Sequence, residues 1–154
     1  MIALRLVRLI EAHSEELSQG LLREIQNSPR ASDLLKVPTQ ELHDRTHEIY
    51  RNLSDWLLCR TDEEVKRTYR ELGARRASQG VAFTHLFWAI IASKEQLWDF
   101  MERERVADEA LDLFGHLELL RKIDHFFDRA LYYAAGAYEQ QSTEHALAQA
   151  GHNR

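Results

Sequence analysis

The chain has 154 residues, 44% hydrophobic and 29% charged, and its 20 lysines and arginines against 25 aspartates and glutamates leave a net charge of −5. That fits a single domain with one core, while the acidic balance argues against a nucleic-acid partner. The lone Cys59 excludes a disulfide framework or a Cys-rich metal site, and no apolar run approaches the roughly 18 to 20 residues of a membrane span.

From Ile2 to Asn27 the apolar residues Leu6, Leu9, Ile10, Leu17, Leu21, Leu22 and Ile25 recur three and four apart, which predicts an amphipathic helix with a weak stretch around His13 to Glu16. Ser28-Pro29 ends it, because the residue before a proline is pushed out of the helical region. Ala31 to Val37 reads as a short connection closed by Pro38. Thr39 then caps a second helix with Leu42, Ile49, Leu53, Trp56 and Leu57 on its apolar face.

Thr61 and Glu64 stand in the capping-box arrangement, so a third helix starts near Asp62 and runs to about Gln79, where Gly80 terminates it. Val65, Tyr69, Leu72 and Ala77 face inward. Lys66, Arg67, Arg70, Arg75 and Arg76 fall on its remaining surface, where they are expected to pair with Glu63, Glu64, Glu71 and solvent.

Phe83 to Met101 is the least polar stretch, and its wide stripe of Phe83, Leu86, Phe87, Ile90, Ile91, Leu97, Trp98 and Met101 marks a central helix. Ala89, Ala92 and Ser93 give it a small-residue side that admits another backbone or leaves room for a ligand.

The last helix is expected from near Ala107 to about Gln141. Leu113, Leu117, Leu120, Asp124, Phe127, Leu131, Ala134 and Tyr138 form one heptad-like row, with Leu119, Ile123, Phe126, Ala130, Tyr133 and Ala137 beside it. Such a helix reaches about 50 Å and should overhang the bundle, so its apolar end needs a partner. Residues 142–154 are polar without a stripe and are expected to fray. The chain is thus read as one all-α domain over 1–141, a bundle of about five helices with a long C-terminal helix, followed by a disordered tail.

Eight histidines are the unusual count. His43 and His47 lie four apart on one helical face, a spacing that can bind a metal, but no second helix offers a matching pair or a Glu-x-x-His motif. His85, His116 and His125 each have apolar or aromatic neighbours, as a haem ligand would need. Hydrogen-bonded or part-exposed positions on helix flanks account for them more simply. Cys59 follows Leu57 and Leu58 at a helix end, where burial is commoner than reactivity. No phosphate loop or nucleophile elbow is present, and no enzyme activity is expected. Lys94 within the most apolar helix and Asp124 in a core row are costly unless they meet solvent, an interface or each other.

The run Glu71-Leu-Gly-Ala-Arg-Arg-Ala-Ser-Gln-Gly-Val-Ala-Phe at 71–83, followed by a long apolar helix, resembles the N-terminal domain of the RsbR/RsbRD family of stress-signalling co-antagonists. So does the run Phe-Phe-Asp-Arg-Ala-Leu-Tyr-Tyr-Ala-Ala-Gly-Ala-Tyr-Glu at 126–139. The resemblance covers nearly the whole chain. It implies a cytoplasmic, non-enzymatic, dimeric sensory domain, possessing a globin-like helical arrangement without haem, whose last helix passes a signal to a STAS-domain or histidine-kinase-type partner. No output domain is recognised before Arg154, so that partner is expected to be a separate protein or to lie beyond this sequence. The resemblance supplies no ligand residues.

The expected reading is therefore a sensory or regulatory helical bundle acting as a homodimer, with no cofactor, no nucleic acid and no membrane. Its candidate ligand pocket lies between the fourth and fifth helices, near His85, Ala89, Ala92 and His125. The alternative is a metal- or haem-binding bundle serving as an oxygen or redox sensor or carrier, with His43 and His47 as weak metal candidates.

Overall fold

The computed structural model describes residues 2–104 and 110–153, and among these every regular element is a helix. The expected start of the last helix near Ala107 lies outside the described residues, as does the side chain of Leu113. In chain order the elements are α1 (Ile2–Ala12), α2 (Ser14–Asn27), a 3-10 segment (Pro29–Lys36), α3 (Thr39–Arg51), a π-helical turn (Asp55–Cys59), α4 (Asp62–Ser78), α5 (Phe83–Arg103) and α6 (Ala110–His152). The all-α bundle is as the periodicity predicts. The elements outnumber the five expected because two helices break.

The first break is at His13, where φ −102° and ψ 16° leave the helical region and the His13 Nδ1 approaches the Leu9 carbonyl at 2.8 Å. The second follows α3. Five residues there adopt the wider π turn, and each residue that such a turn adds rotates the following side chains off the apolar face. Trp56 stays buried, but Leu58 is 55% exposed, and Cys59, expected to be buried, is exposed as well.

Local signals hold where they were strongest. The Thr61 Oγ1 accepts from the Glu64 amide at 3.2 Å, and the Thr61 amide donates to the Glu64 Oε2 at 2.8 Å, which satisfies two amides at the start of α4. At its other end the chain turns at Gly80 with φ 78°, a conformation that side chains disfavour. Tyr138 fastens this turn by donating its hydroxyl to the Val81 carbonyl at 2.8 Å.

The helix α6 has 43 residues, about 65 Å at roughly 1.5 Å per residue, and packs along α4, α5 and α1. Its inner surface is chiefly the second of the two rows: Leu119, Ile123, Phe126, Ala130 and Ala137 are buried, joined by Phe127 and Ala134 from the first. Leu117, placed in the first row, is 52% exposed. The polar segment from Ser142, expected to fray, is exposed helix to His152. Glu144, Ala146, Leu147, Ala148, Gln149 and Ala150 are good helix formers, and intrinsic propensity needs no apolar stripe.

Lys94 and Asp124 do meet, with Nζ 3.7 Å from Oδ1, and Lys94 also lies 5.5 Å from the centroid of Trp98. The contact is part-exposed rather than buried, at 23% and 41% side-chain exposure.

Candidate functional site

Between α2, the 3-10 segment, α3, α4 and α5 lies a cavity of about 80 Å³. Its wall is mostly aliphatic, with Leu21 and Ile25 from α2, Ile49 from α3 and Ile90 from α5. Phe127 of α6 also reaches it. The small side chains of Ala89 and Ser93 help to keep the space open, since a larger residue at either position would project into it. A space of this size holds a few non-hydrogen atoms, about half the volume of an engineered apolar cavity that admits benzene. It is far too small for a porphyrin.

The cavity surface is almost wholly apolar, although residues with polar ends also border it. Tyr50, Tyr69, Arg45 and Arg76 all line the cavity. The Tyr50 hydroxyl lies 2.8 Å from the Gln96 Oε1 and 3.1 Å from the Ser93 carbonyl. Gln96 in turn donates to the Leu17 carbonyl at 2.8 Å, so α3, α5 and α2 are linked by one polar chain. Tyr69 is only 3% exposed, yet its hydroxyl has no hydrogen-bond partner among the described residues. Burial pushes both phenols well above their ordinary pKa, so both are neutral donors.

Arg76 is the largest fully buried side chain, at 1% exposure. This overturns its expected place on the solvated face of α4. Its Nη1 donates to the Glu41 Oε1 at 2.5 Å and to the Gln79 Oε1 at 2.8 Å. The same carboxylate receives Arg75, at 2.5 Å from Nε and 2.9 Å from Nη2. Held by Arg75, and further by Arg76 and Gln79, the Glu41 carboxyl is brought down to about 2 against the opposing effect of burial. Burial lowers the Arg76 pKa, while Glu41 works to raise it. A guanidinium nevertheless stays charged in a protein.

Of the four residues expected around a pocket, Ala89 lines the cavity and Ala92 is buried in the core without lining it. His85 stands apart: its Nδ1 accepts the Asp33 amide at 2.9 Å, while the Asp33 carboxylate accepts the Ala82 amide at 2.9 Å. That pair ties the 3-10 segment to the turn before α5. His125 is exposed and borders a separate surface groove with Arg121, Arg129 and Trp56. Of the pocket residues named from the sequence, Ala89 alone borders this cavity, and Arg76 and Glu41 were not among them. Tyr69 was assigned inward, but nothing in the spacing joined it to Arg76 and Glu41.

His43 and His47 stack, with centroids 5.5 Å apart and planes at 13°, and both address Glu15 of α2. The His43 Nε2 is 2.9 Å from Glu15 Oε1, and the His47 Nε2 is 3.5 Å from Oε2. Stacked rings send their nitrogen lone pairs out side by side rather than toward one point, whereas a tetrahedral ion needs them to converge at about 2.0–2.1 Å. Among the described residues no three His, Cys, Asp or Glu side chains are grouped to hold a metal ion.

Over residues 11–152 the sequence matches the family described as the RsbT co-antagonist protein rsbRD N-terminal domain. No curated protein and no solved structure matches the chain.

Proposed function

The chain belongs to the RsbT co-antagonist rsbRD N-terminal domain family, a family of stress-signalling regulatory domains, and from that footing we propose that it is a non-enzymatic sensory module. It acts as a homodimer and passes the state of its cavity along α6 to a STAS-domain or histidine-kinase-type partner in the cytoplasm. The observation that carries this reading is the double engagement of α6. Its middle reaches the cavity through Phe127, while large apolar side chains stand uncovered along its outer face: Phe114 at 72%, Tyr132 at 75% and Leu147 at 67% exposure.

A signal of this kind requires two arrangements of the bundle that a ligand binds unequally. The close seat of α4 on α6 supplies the mechanical link. A Cβ added at Gly73 would stand 2.7 Å from the Ala134 carbonyl oxygen, so the two backbones are nearly in contact and a shift of α4 displaces α6. No described helix is long and apolar enough to cross a membrane.

Hydrogen exchange compares the chain with a cavity-filled Ala89→Leu variant. Changed protection of α6 amides beyond Gly136 supports transmission along that helix. Unchanged protection there, with changes confined to α5, contradicts it.

A further inference from the structure

We propose that the cavity is a dry site for a small neutral apolar ligand, a hydrocarbon of about three or four non-hydrogen atoms, held among Leu21, Ile49, Ile90 and Phe127. The proposal rests on the reading of this chain as a sensor and names the ligand class that such a sensor takes.

The surface of the cavity is the first argument. Almost all of it is apolar, and most of the residues with polar ends that border it have those ends engaged elsewhere. The Ser93 Oγ donates to the Ala89 carbonyl at 2.8 Å and the Thr46 Oγ1 to the Leu42 carbonyl at 3.1 Å, each one turn back along its own helix. The Tyr50 hydroxyl is taken up by the Ser93 carbonyl and Gln96, and Arg76 by Glu41 and Gln79. Arg45 also borders an open surface groove beside Asp44 and Glu48. An ordered water needs two to four polar partners, and the single phenol of Tyr69 does not supply them. About 80 Å³ exceeds the roughly 10–15 Å³ that one water requires, so it is polarity rather than size that keeps water out.

The same wall excludes the other ligand classes. An ion would enter without a countercharge, and a hydroxyl or amide would give up its water without gaining a partner. A hydrocarbon gains on both counts. It leaves water itself, and it restores the dispersion contacts that wall atoms lack across a void.

Position is the third argument. The walls come from α2, the 3-10 segment, α3, α4 and α5, with Phe127 from α6, so an occupant bears on all of them at once.

The test is a methyl NMR titration of the whole chain with propane dissolved under pressure, against helium at equal pressure. Ethanol serves as the probe of equal heavy-atom count that carries a hydroxyl. Saturable shifts at the Leu21, Ile49 and Ile90 methyls are expected with propane, and binding about ten-fold weaker or more with ethanol. Ala89→Leu, whose added atoms take up the space, should abolish the propane shifts. Absence of saturable propane shifts, ethanol binding as tightly, or propane shifts that persist in Ala89→Leu would each overturn the ligand site. Amide hydrogen exchange on the same samples separates this proposal from the sensor reading. If propane does not bind but Ala89→Leu alters protection of α6 beyond Gly136, the cavity still signals and the ligand class is wrong. If propane binds and protection there is unchanged, the ligand class stands and the sensor reading falls.

Discussion

Arg76 of α4 and Glu41 in the first turn of α3 form an ion pair across 35 residues of sequence, with Nη1 2.5 Å from Oε1. Removing one member of a buried pair typically costs about 3–5 kcal/mol, because the other charge stays buried alone. Glu41 is 22% exposed on its side chain, which places this pair near or below the lower bound. Glu41→Gln should therefore lower the free energy of denaturant unfolding by about 2–3 kcal/mol. A loss below 0.5 kcal/mol, the ordinary range for surface substitutions, would show that Arg76 finds compensation elsewhere.

The same pair predicts an acid-dependent loss of stability. The folded-state pKa of Glu41 lies at about 2, below its ordinary value of 4.5. Its contribution is thus fully present above about pH 5 and fades as the pH falls through 4.5 toward 2. Urea midpoints across that range should fall more steeply for the unaltered chain than for Glu41→Gln. Parallel slopes would remove Glu41 from the account.

Gly73→Ala pits two effects against each other. Alanine gains about 1 kcal/mol of helix propensity over glycine. Its Cβ, however, would meet the Ala134 carbonyl oxygen at 2.7 Å and the Ala137 Cβ at 3.0 Å, and a backbone oxygen within a packed helix has little freedom to yield. Overpacking of this kind costs roughly 1–3 kcal/mol, so a net loss and a lower Tm are expected in thermal denaturation. A raised Tm would mean that α4 and α6 separate easily.

Ala89→Leu and Ala134→Leu add the same atoms in different surroundings. Ala89 borders the cavity, whereas Ala134 is 0% exposed and lies against Gly73. The first should cost less than about 1.5 kcal/mol and the second clearly more, by chemical denaturation. Equal losses would indicate that the cavity closes in solution.

Much of the fold is legible because its signals are local. The Thr61–Glu64 box, Pro29, Pro38 and Gly80 each act within a few residues, and they set the boundaries of α2, α3 and α4. The π turn was not legible, since Asp55–Cys59 carries no residue that demands it, and the exposure of Cys59 follows from that turn. Helix at 142–152 was missed because periodicity reports burial, and an exposed helix made of good formers has none. At the site, the small face of α5 drew attention to Ala89, which lines the cavity. Arg76 escaped because it sits among four other basic residues on α4, and only tertiary packing decides which of them is turned inward toward Glu41.

Light scattering coupled to gel filtration tests the central claim, that this is a dimeric module working through α6. The chain at micromolar concentration should elute at twice its 18.0 kDa mass. Phe114→Glu combined with Leu117→Glu, on the uncovered part of α6, should bring it to one copy with unchanged helical content. A clean 18.0 kDa species for the unaltered chain at that concentration would contradict the account.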